Sequence, residues 1–275
     1  MQTGLAVQKN KIDPPQAVSE PYCLKLAVSG KGGVGKTTVS ALMAKAFRQQ
    51  GLKVIAIDAD PDANLARALG IPQDLEITPL VELKELITER VGAEPGTAAV
   101  YFQLNPRVDD IPDRFAAVID GIKLMVMGTI RRGGSGCACP ENVMVKQLIN
   151  HLLLQRDEVL IMDMEAGIEH LGRGTAQFVD LLAVVVEPTS ASLQTFTRIK
   201  KLSSDLGLKK MAVVANRVRS PQDLERIRSE IRTEPWCVLP YSETLIDYAG
   251  GPVGDDVSVA LADFLSRIRQ ELKNG

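Results

Sequence analysis

The chain has 275 residues, of which 45% are hydrophobic and 24% are charged, and its net charge is −2. This length and composition predict a globular protein with a large hydrophobic core. The charge gives no general attraction to nucleic acid or anionic lipid, and no apolar run approaches the roughly 18 residues that cross a bilayer, so we expect neither as a partner.

The first 22 residues form a polar segment that contains three prolines and no apolar stretch typical of a secretory signal. We predict that residues 1–22 are a flexible N-terminal extension. The chain has four cysteines and no recognisable export signal. This combination favours the cytoplasm, where thiols stay reduced and can bind metals.

From Leu24 onward, short apolar runs alternate with amphipathic segments. Nearly continuous apolar runs are typical of parallel strands that helices cover on both faces. The alternation predicts an α/β fold over residues 23–275, with a single doubly wound, mainly parallel sheet and helices on both faces. Residues 92–120 follow neither period and are predicted to be a long loop or an insertion. Strands are predicted at 24–29, 54–58, 123–127, 159–163, 181–186, 211–216 and 236–240, and helices at 37–50, 79–91, 142–155, 191–206 and 257–273.

The sequence GKGGVGKT, residues 30–37, matches the phosphate-binding loop pattern between a predicted strand and a predicted helix. Backbone N–H groups at the helix N-terminus would converge on the β-phosphate. Lys36 would reach the β- and γ-phosphates, and the Thr37 hydroxyl would ligate Mg²⁺. The other residues assigned to this nucleotide site are Gly30, Gly32, Gly33, Val34, Gly35 and Thr38.

Aspartates follow two of the predicted strands. Asp58 and Asp60 are two residues apart at the end of an extended run, so their side chains can point the same way. One would serve the Mg²⁺ shell and the other would orient the attacking water. Asp163 ends another strand, which looks like a Walker B strand whose carboxylate reaches Mg²⁺ through water. Turn formation is the alternative role for an aspartate after a strand.

Lys31 is a second lysine within the loop, at a position where the pattern specifies no residue. With it the loop resembles the deviant Walker A ATPases, whose extra lysine reaches the nucleotide of the partner in a dimer. The resemblance implies that Lys31 acts in trans within a homodimer, as an arginine finger does. It also assigns Asp60 to the water and Asp58 to the metal side. The alternative for Lys31 is a solvated charge.

Asn216 ends a predicted strand, where its amide can pair with a purine edge. Guanine readers of the N-K-x-D type need an aspartate three residues later, and this chain has Arg219 there. In the family that the loop resembles, this asparagine reads adenine. In that family the loop after the next strand closes over the ring, and the resemblance implies this role for Pro240 and Tyr241 here. We therefore predict that the nucleotide is ATP.

The sequence GGSGCACPEN, residues 133–142, places Cys137 and Cys139 one residue apart in a glycine-rich segment. Two thiolates are half of a four-sulfur metal site, and a two-fold axis through the loop would supply the other half. Thiolates suit Zn²⁺, Ni²⁺ and Cu⁺. The alternative is a pair of incidental thiols. Cys23 and Cys237 lie in or beside apolar strands and are predicted to be core residues.

Three segments, GGSGCACPEN, MDMEAGIEHLGRGTA and ITPLVELKELI, make the chain resemble the CooC-type ATPases, which insert nickel into carbon monoxide dehydrogenase. The resemblance implies an ATP-dependent metallochaperone with carbon monoxide dehydrogenase as its client. It also implies a homodimer that holds Ni²⁺ or Zn²⁺ between the Cys137 and Cys139 pairs at residues 131–140 of its two subunits. We predict a structural role for His151 and a packing or conformational role for His170.

Three alternatives accompany this prediction. A maturation ATPase for acetyl-CoA synthase fits the sequence equally well. An iron–sulfur reductase would need a second cysteine after the Walker B strand, and residues 164–180 contain none. A positioning ATPase that binds DNA or membrane is disfavoured because the last helix has a mixed-charge face rather than a basic anchor.

Overall fold

The computed structural model describes residues 23–60, 62–72, 77–94, 103–128, 140–155, 158–165, 176, 178–208 and 210–273. The strands are β1 Leu24–Gly30, β2 Val54–Asp58, β3 Ala117–Ile119, β4 Ile122–Val126, β5 Val159–Asp163, β6 Leu181–Val186, β7 Met211–Val218 and β8 Cys237–Pro240. The helices are α1 Lys36–Gln49, α2 Leu65–Leu69, α3 Lys84–Val91, α4 Ile111–Phe115, α5 Pro140–Gln155, α6 Ser190–Leu206, α7 Pro221–Ile231, α8 Glu243–Ile246 and α9 Asp255–Lys273.

The eight described strands form one sheet in the order β3-β4-β2-β5-β1-β6-β7-β8. Every neighbouring pair is parallel except β3 and β4, which form an antiparallel hairpin at one edge. The mainly parallel α/β sheet that the sequence predicted is therefore confirmed. A parallel sheet brings the carboxyl ends of its strands to one edge, where ligands bind in open α/β folds.

The helices cover both faces of the sheet, so successive side chains of one strand enter different cores. In β1, Leu26 and Val28 pack with α1, α2 and α9, whereas Ala27 between them packs with the core that includes α5, α6 and α7. A strand buried on both faces has no polar side to keep in water. The continuous apolar runs of the sequence follow from this arrangement.

The structure corrects three predictions at the level of elements. Residues 92–120 are not simply a loop or an insertion, because they include α4 and the edge strand β3. The helix predicted at 79–91 is interrupted at Leu83, with a 3₁₀ turn at Leu80–Glu82 before α3. The short helix α2, at Leu65–Leu69, was not predicted. Each of these elements is only three to eight residues long, too short for a clear hydrophobic period.

Of the two cysteines that were predicted to be core residues, one is buried and the other is exposed. Cys237 is buried in β8, and its Sγ donates a hydrogen bond to the backbone oxygen of Ala260 at 3.6 Å. Burial, with a smaller contribution from the charge of Asp263, raises the pKa of this thiol to about 12, so Cys237 is an inert core residue as expected. The prediction for Cys23 is wrong, because this residue is exposed immediately before β1.

Two further findings concern membrane spans and the two histidines. Among the helices in the described ranges, none has the length and apolarity needed to cross a bilayer. His151 is half-buried on α5, and His170 lies outside the described residues.

Candidate nucleotide site

The phosphate loop connects β1 to α1 through a backbone that only glycine adopts easily. Gly30 has φ 153°, and a Cβ there would collide with the carbonyl oxygen of Val185 in β6. Gly35, the N-cap of α1, has φ 93°. The Val34 N–H donates to the Lys31 oxygen at 3.3 Å, which closes the turn. Gly32 and Gly33 are exposed, so the loop presents its backbone to solvent at the carboxyl edge of the sheet.

The two lysines of the loop are placed differently. Lys36 is 6% exposed, and its Nζ donates to the backbone oxygen of Lys31 at 3.5 Å, so the ammonium lies back over the loop. Lys31 is more exposed, and its Nζ is 3.5 Å from the backbone oxygen of Gly32. The structure therefore holds one lysine inside the loop and leaves the other at its surface.

Asp163 connects the end of β5 to the first turn of α1. It is fully buried and accepts hydrogen bonds from the Ser40 hydroxyl, at 3.0 Å, and from the Thr37 hydroxyl. Its Oδ2 is buried and has no hydrogen-bond partner within the described part of the chain. Burial, with an addition from the charge of Asp58, raises the pKa of Asp163 to about 7. An unpaired carboxylate oxygen beside a threonine hydroxyl fits the coordination shell of Mg²⁺, which prefers oxygen ligands and retains water.

Asp58 lies beside Asp163 in the next strand, since the two residues are in register between β2 and β5. It is fully buried; its Oδ1 accepts from the Asp60 N–H at 3.2 Å and its Oδ2 from the Leu65 N–H at 2.8 Å. Burial raises its pKa to about 6. Asp60 is only partly buried and accepts from the Asp62 N–H at 3.1 Å. Both aspartates thus form the turn into α2, and Asp58 does so directly beside Asp163.

Asn216 contacts the phosphate loop from β7. Its Nδ2 donates to the Val34 oxygen at 2.8 Å, and its Oδ1 accepts from the Arg217 N–H at 2.9 Å. A Cβ on Gly35 would be 2.5 Å from this Nδ2. The amide therefore supports the loop. An asparagine amide has two N–H donors and two lone pairs, so one donor and one lone pair remain for a purine edge. Its predicted contact with adenine stays a prediction.

The rest of the predicted site lies at the same edge or outside the described residues. Pro240 ends β8 opposite Val218 of β7, and the Tyr241 N–H donates to the Val218 oxygen at 3.0 Å. Thr38 is half-buried in the first turn of α1. Cys137 and Cys139 lie outside the described residues, and no group of three or more metal-ligating side chains occurs among the described ones.

Sequence reasoning missed three polar residues around this site. Ser40 lies within a helix and outside the loop motif, so the motif did not indicate it. It follows Lys36 by one helical turn and therefore lies on the same face. Glu187 and Arg217 form an ion pair at 2.9 Å beside Asn216. Arg217 has φ 59°, a value that few residues other than glycine adopt, and no sequence pattern signals it.

Comparison with known proteins identifies the family. The family model described as the CobQ/CobB/MinD/ParA nucleotide binding domain matches residues 25–250. The chain belongs to this nucleotide-binding family. It is a P-loop ATPase, and the predicted resemblance and ATP-hydrolysing class are both confirmed.

The chain is also similar to two known proteins over most of its length. The carbon monoxide dehydrogenase accessory protein CooC of Rhodospirillum rubrum is 50% identical over 203 residues, which are 73% of this chain and 77% of that protein. An uncharacterised ATP-binding protein of Methanocaldococcus jannaschii is 46% identical over 243 residues, 86% of this chain and 93% of that protein.

Solved structures show the same fold at low identity. The cell division protein MinD of Aquifex aeolicus, in a complex with MinC, aligns with a TM-score of 0.63 at 20% identity over 90% of this chain and 96% of that one. A ParA family ATPase of Chlorobium tepidum aligns with a TM-score of 0.65 at 16% identity, over 90% and 99% of the two chains. At these identities the likeness concerns the fold alone.

Proposed function

We propose that this ATPase is a metallochaperone that binds nickel through Cys137 and Cys139 of two subunits and inserts it into carbon monoxide dehydrogenase. The observation that supports this most is the 50% identity to the accessory protein CooC of Rhodospirillum rubrum. The Cys-x-Cys pair in the glycine-rich segment gives the proposal its metal ligands. The client, the metal and the dimer all belong to the proposal.

ATP hydrolysis would use the residues that meet at the carboxyl edge of the sheet. Lys36 and the loop N–H groups would hold the β- and γ-phosphates, and Lys31 of the partner subunit would approach them from outside. The Thr37 hydroxyl and Asp163 would hold Mg²⁺, whose chemical contribution is to neutralise charge on the phosphate oxygens. Asp60 would orient the water, and Asp58 would serve the metal side while its hydrogen bonds keep the turn that carries Asp60.

The partly exposed position of Asp60 is compatible with contact with water in front of the phosphates. Asp58 is fully buried and accepts a hydrogen bond at each of its oxygens, whereas the Oδ2 of the fully buried Asp163, unpaired within the described ranges, is the oxygen proposed to face Mg²⁺. A water-orienting carboxylate must keep a free acceptor near the reacting group. Asp60 has one oxygen in the turn with Asp62, which leaves its second oxygen for this role.

Metal binding provides the first test of the proposal. The reduced protein should bind one Ni²⁺ or Zn²⁺ per dimer, as measured by isothermal titration together with its mass in solution. Cys137→Ser and Cys139→Ser should each remove most of the affinity, because each substitution deletes two of the four thiolates in the dimer. Cys23→Ser is the matched control, since Cys23 is exposed but lies outside the proposed site. Equal metal binding by all three variants would refute the cysteine site.

Client activation provides the second test. Nickel-free carbon monoxide dehydrogenase should gain activity at limiting Ni²⁺ when this protein and ATP are added. The Cys137→Ser variant should not support that gain, although it should still hydrolyse ATP. An equal gain with the cysteine variant, or with acetyl-CoA synthase as the responding enzyme in place of carbon monoxide dehydrogenase, would contradict the proposed function.

A further inference from the structure

Arg219 and Tyr241 form a stacked pair at the edge of the sheet where the nucleotide base is predicted to lie. The guanidinium carbon of Arg219 is 3.9 Å from the centre of the Tyr241 ring. This is well within the distance at which a guanidinium and an aromatic face attract each other. The pair therefore stacks an exposed guanidinium on a half-buried aromatic ring.

The backbone holds both residues of the pair in place. Tyr241 donates its N–H to the oxygen of Val218, the residue that precedes Arg219, at 3.0 Å. The Arg219 N–H donates to Oδ2 of Asp223 in the first turn of α7 at 2.9 Å. Asn216, three residues before Arg219, is bonded to the phosphate loop. The pair thus lies just beyond Asn216 on the path from the phosphates to the outer strands.

Arg219 differs from its neighbours in how its side chain is used. Arg217 is paired with Glu187 at 2.9 Å, and Arg228 is paired with Glu234 at 2.9 Å. Across the described ranges no carboxylate lies within ion-pair distance of the Arg219 guanidinium, and the residue is exposed. Within the described ranges the contact with the tyrosine ring is the one that holds this side chain, so the opposite face of the guanidinium is open there.

We propose that Arg219 covers one face of the nucleotide base, with Tyr241 supporting the guanidinium from behind. Bases stack on aromatic and guanidinium planes through a face that every base has, so such a contact adds affinity without reading the base edge. The inference rests on the proposed ATP site, because it requires the base to lie beyond Asn216. It gives the covering contact to Arg219 and a supporting role to Tyr241.

Binding of ADP and of pyrophosphate, each with Mg²⁺, separates base contacts from phosphate contacts. Arg219→Ala should weaken ADP binding about tenfold in isothermal titration, the usual size of the loss when a stacking partner of a base is removed. Pyrophosphate affinity should not change, because pyrophosphate has no base. Arg219→Lys keeps the charge but lacks the plane, so its ADP affinity should lie close to that of the alanine variant.

Arg228→Ala is the matched control, because it removes a positive charge from α7 away from the pair and should leave both affinities at the wild-type value. Three outcomes would overturn the inference: unchanged ADP binding in Arg219→Ala, equal losses for ADP and pyrophosphate, or full recovery with lysine. None of these would contradict the proposed function, since ATP hydrolysis and metal binding are measured separately. Conversely, the expected losses would stand even if the client were a different enzyme.

Discussion

At the scale of single residues, the site combines buried carboxylates with a lysine that the loop backbone holds. Asp58 and Asp163 are fully buried neighbours, and burial raises the pKa of both. Two adjacent carboxylates that lose water in this way favour a nearby cation. Lys36 and the proposed Mg²⁺ are the cations that a nucleotide complex would place there.

Lys36→Ala should abolish ATP hydrolysis, because Lys36 is the side chain proposed to hold the β- and γ-phosphates. The measurement is the rate of phosphate release with Mg²⁺ present. Lys53→Ala is the matched control, since Lys53 is an exposed lysine that precedes β2. Hydrolysis at the wild-type rate in Lys36→Ala would contradict the proposed use of the loop.

Asp60→Asn should reduce turnover by ~10²–10⁴-fold while ATP still binds, because the amide can keep the turn but cannot polarise the water. Asp62→Asn is a close control: Asp62 is exposed, and it takes part in the same turn through its backbone N–H, which the substitution retains. Single-turnover hydrolysis and nucleotide binding should be measured together. Unchanged turnover in Asp60→Asn would move the water-orienting role to Asp58 or Asp163.

At the scale of elements, α1 has a left-handed glycine next to each end. Gly35 is its N-cap with φ 93°, and Gly51 follows its C-cap with φ 83°. Alanine at either position would adopt a left-handed conformation that costs about 1–2 kcal/mol. The surroundings differ, because nothing lies within 4 Å of a Cβ at Gly51, whereas a Cβ at Gly35 would be 2.5 Å from Nδ2 of Asn216.

Gly35→Ala and Gly51→Ala should therefore separate backbone strain from the contact between α1 and β7. Both variants should lose about 1–2 kcal/mol of unfolding free energy in urea from backbone strain. Gly35→Ala should lose more than Gly51→Ala, because its methyl group also meets Nδ2 of Asn216. Only Gly35→Ala should also lose ADP affinity, because its methyl group displaces the amide that holds the loop at Val34. Equal ADP affinity in the two variants would show that Asn216 does not need this position for nucleotide binding.

The sequence predicted the elements and site residues that carry a strong period or motif, and it missed those that depend on tertiary contacts. The strands with continuous apolar runs and the phosphate loop lie where the sequence placed them, since each is encoded locally. The short helix α2 is held by the Leu65 N–H bond to Asp58, a contact made by the folded turn. Cys23 was misassigned because burial next to a strand depends on what covers that end of the sheet. The role of Asn216 in supporting the loop depends on residues 182 positions apart in the chain.

At the scale of the whole molecule, the parallel sheet collects the nucleotide residues at one edge and leaves Lys31 at the surface of that edge. Gly30, Asp58 and Asp163 end adjacent strands β1, β2 and β5. A lysine at the surface of this edge can reach a partner only if two copies meet face to face there. The proposed dimer would then place both nucleotides, and the two Cys137 and Cys139 pairs, around one axis.

This arrangement predicts that ATP and nickel affect each other's binding. ATP would draw the subunits together through Lys31, and nickel through four thiolates, so two ligands would act on states of one dimer. Such coupling is reciprocal and is typically 1–3 kcal/mol, about 5–150-fold in affinity. We expect the Ni²⁺ affinity on the Asp60→Asn background to differ by this factor between ATP and ADP, and Lys31→Ala to remove the difference. Lys53→Ala should leave the difference intact. Equal nickel affinity without nucleotide, with ADP and with ATP would contradict this coupling. The cysteines would then hold the metal between the subunits regardless of nucleotide, because hydrolysis would have no means of releasing it.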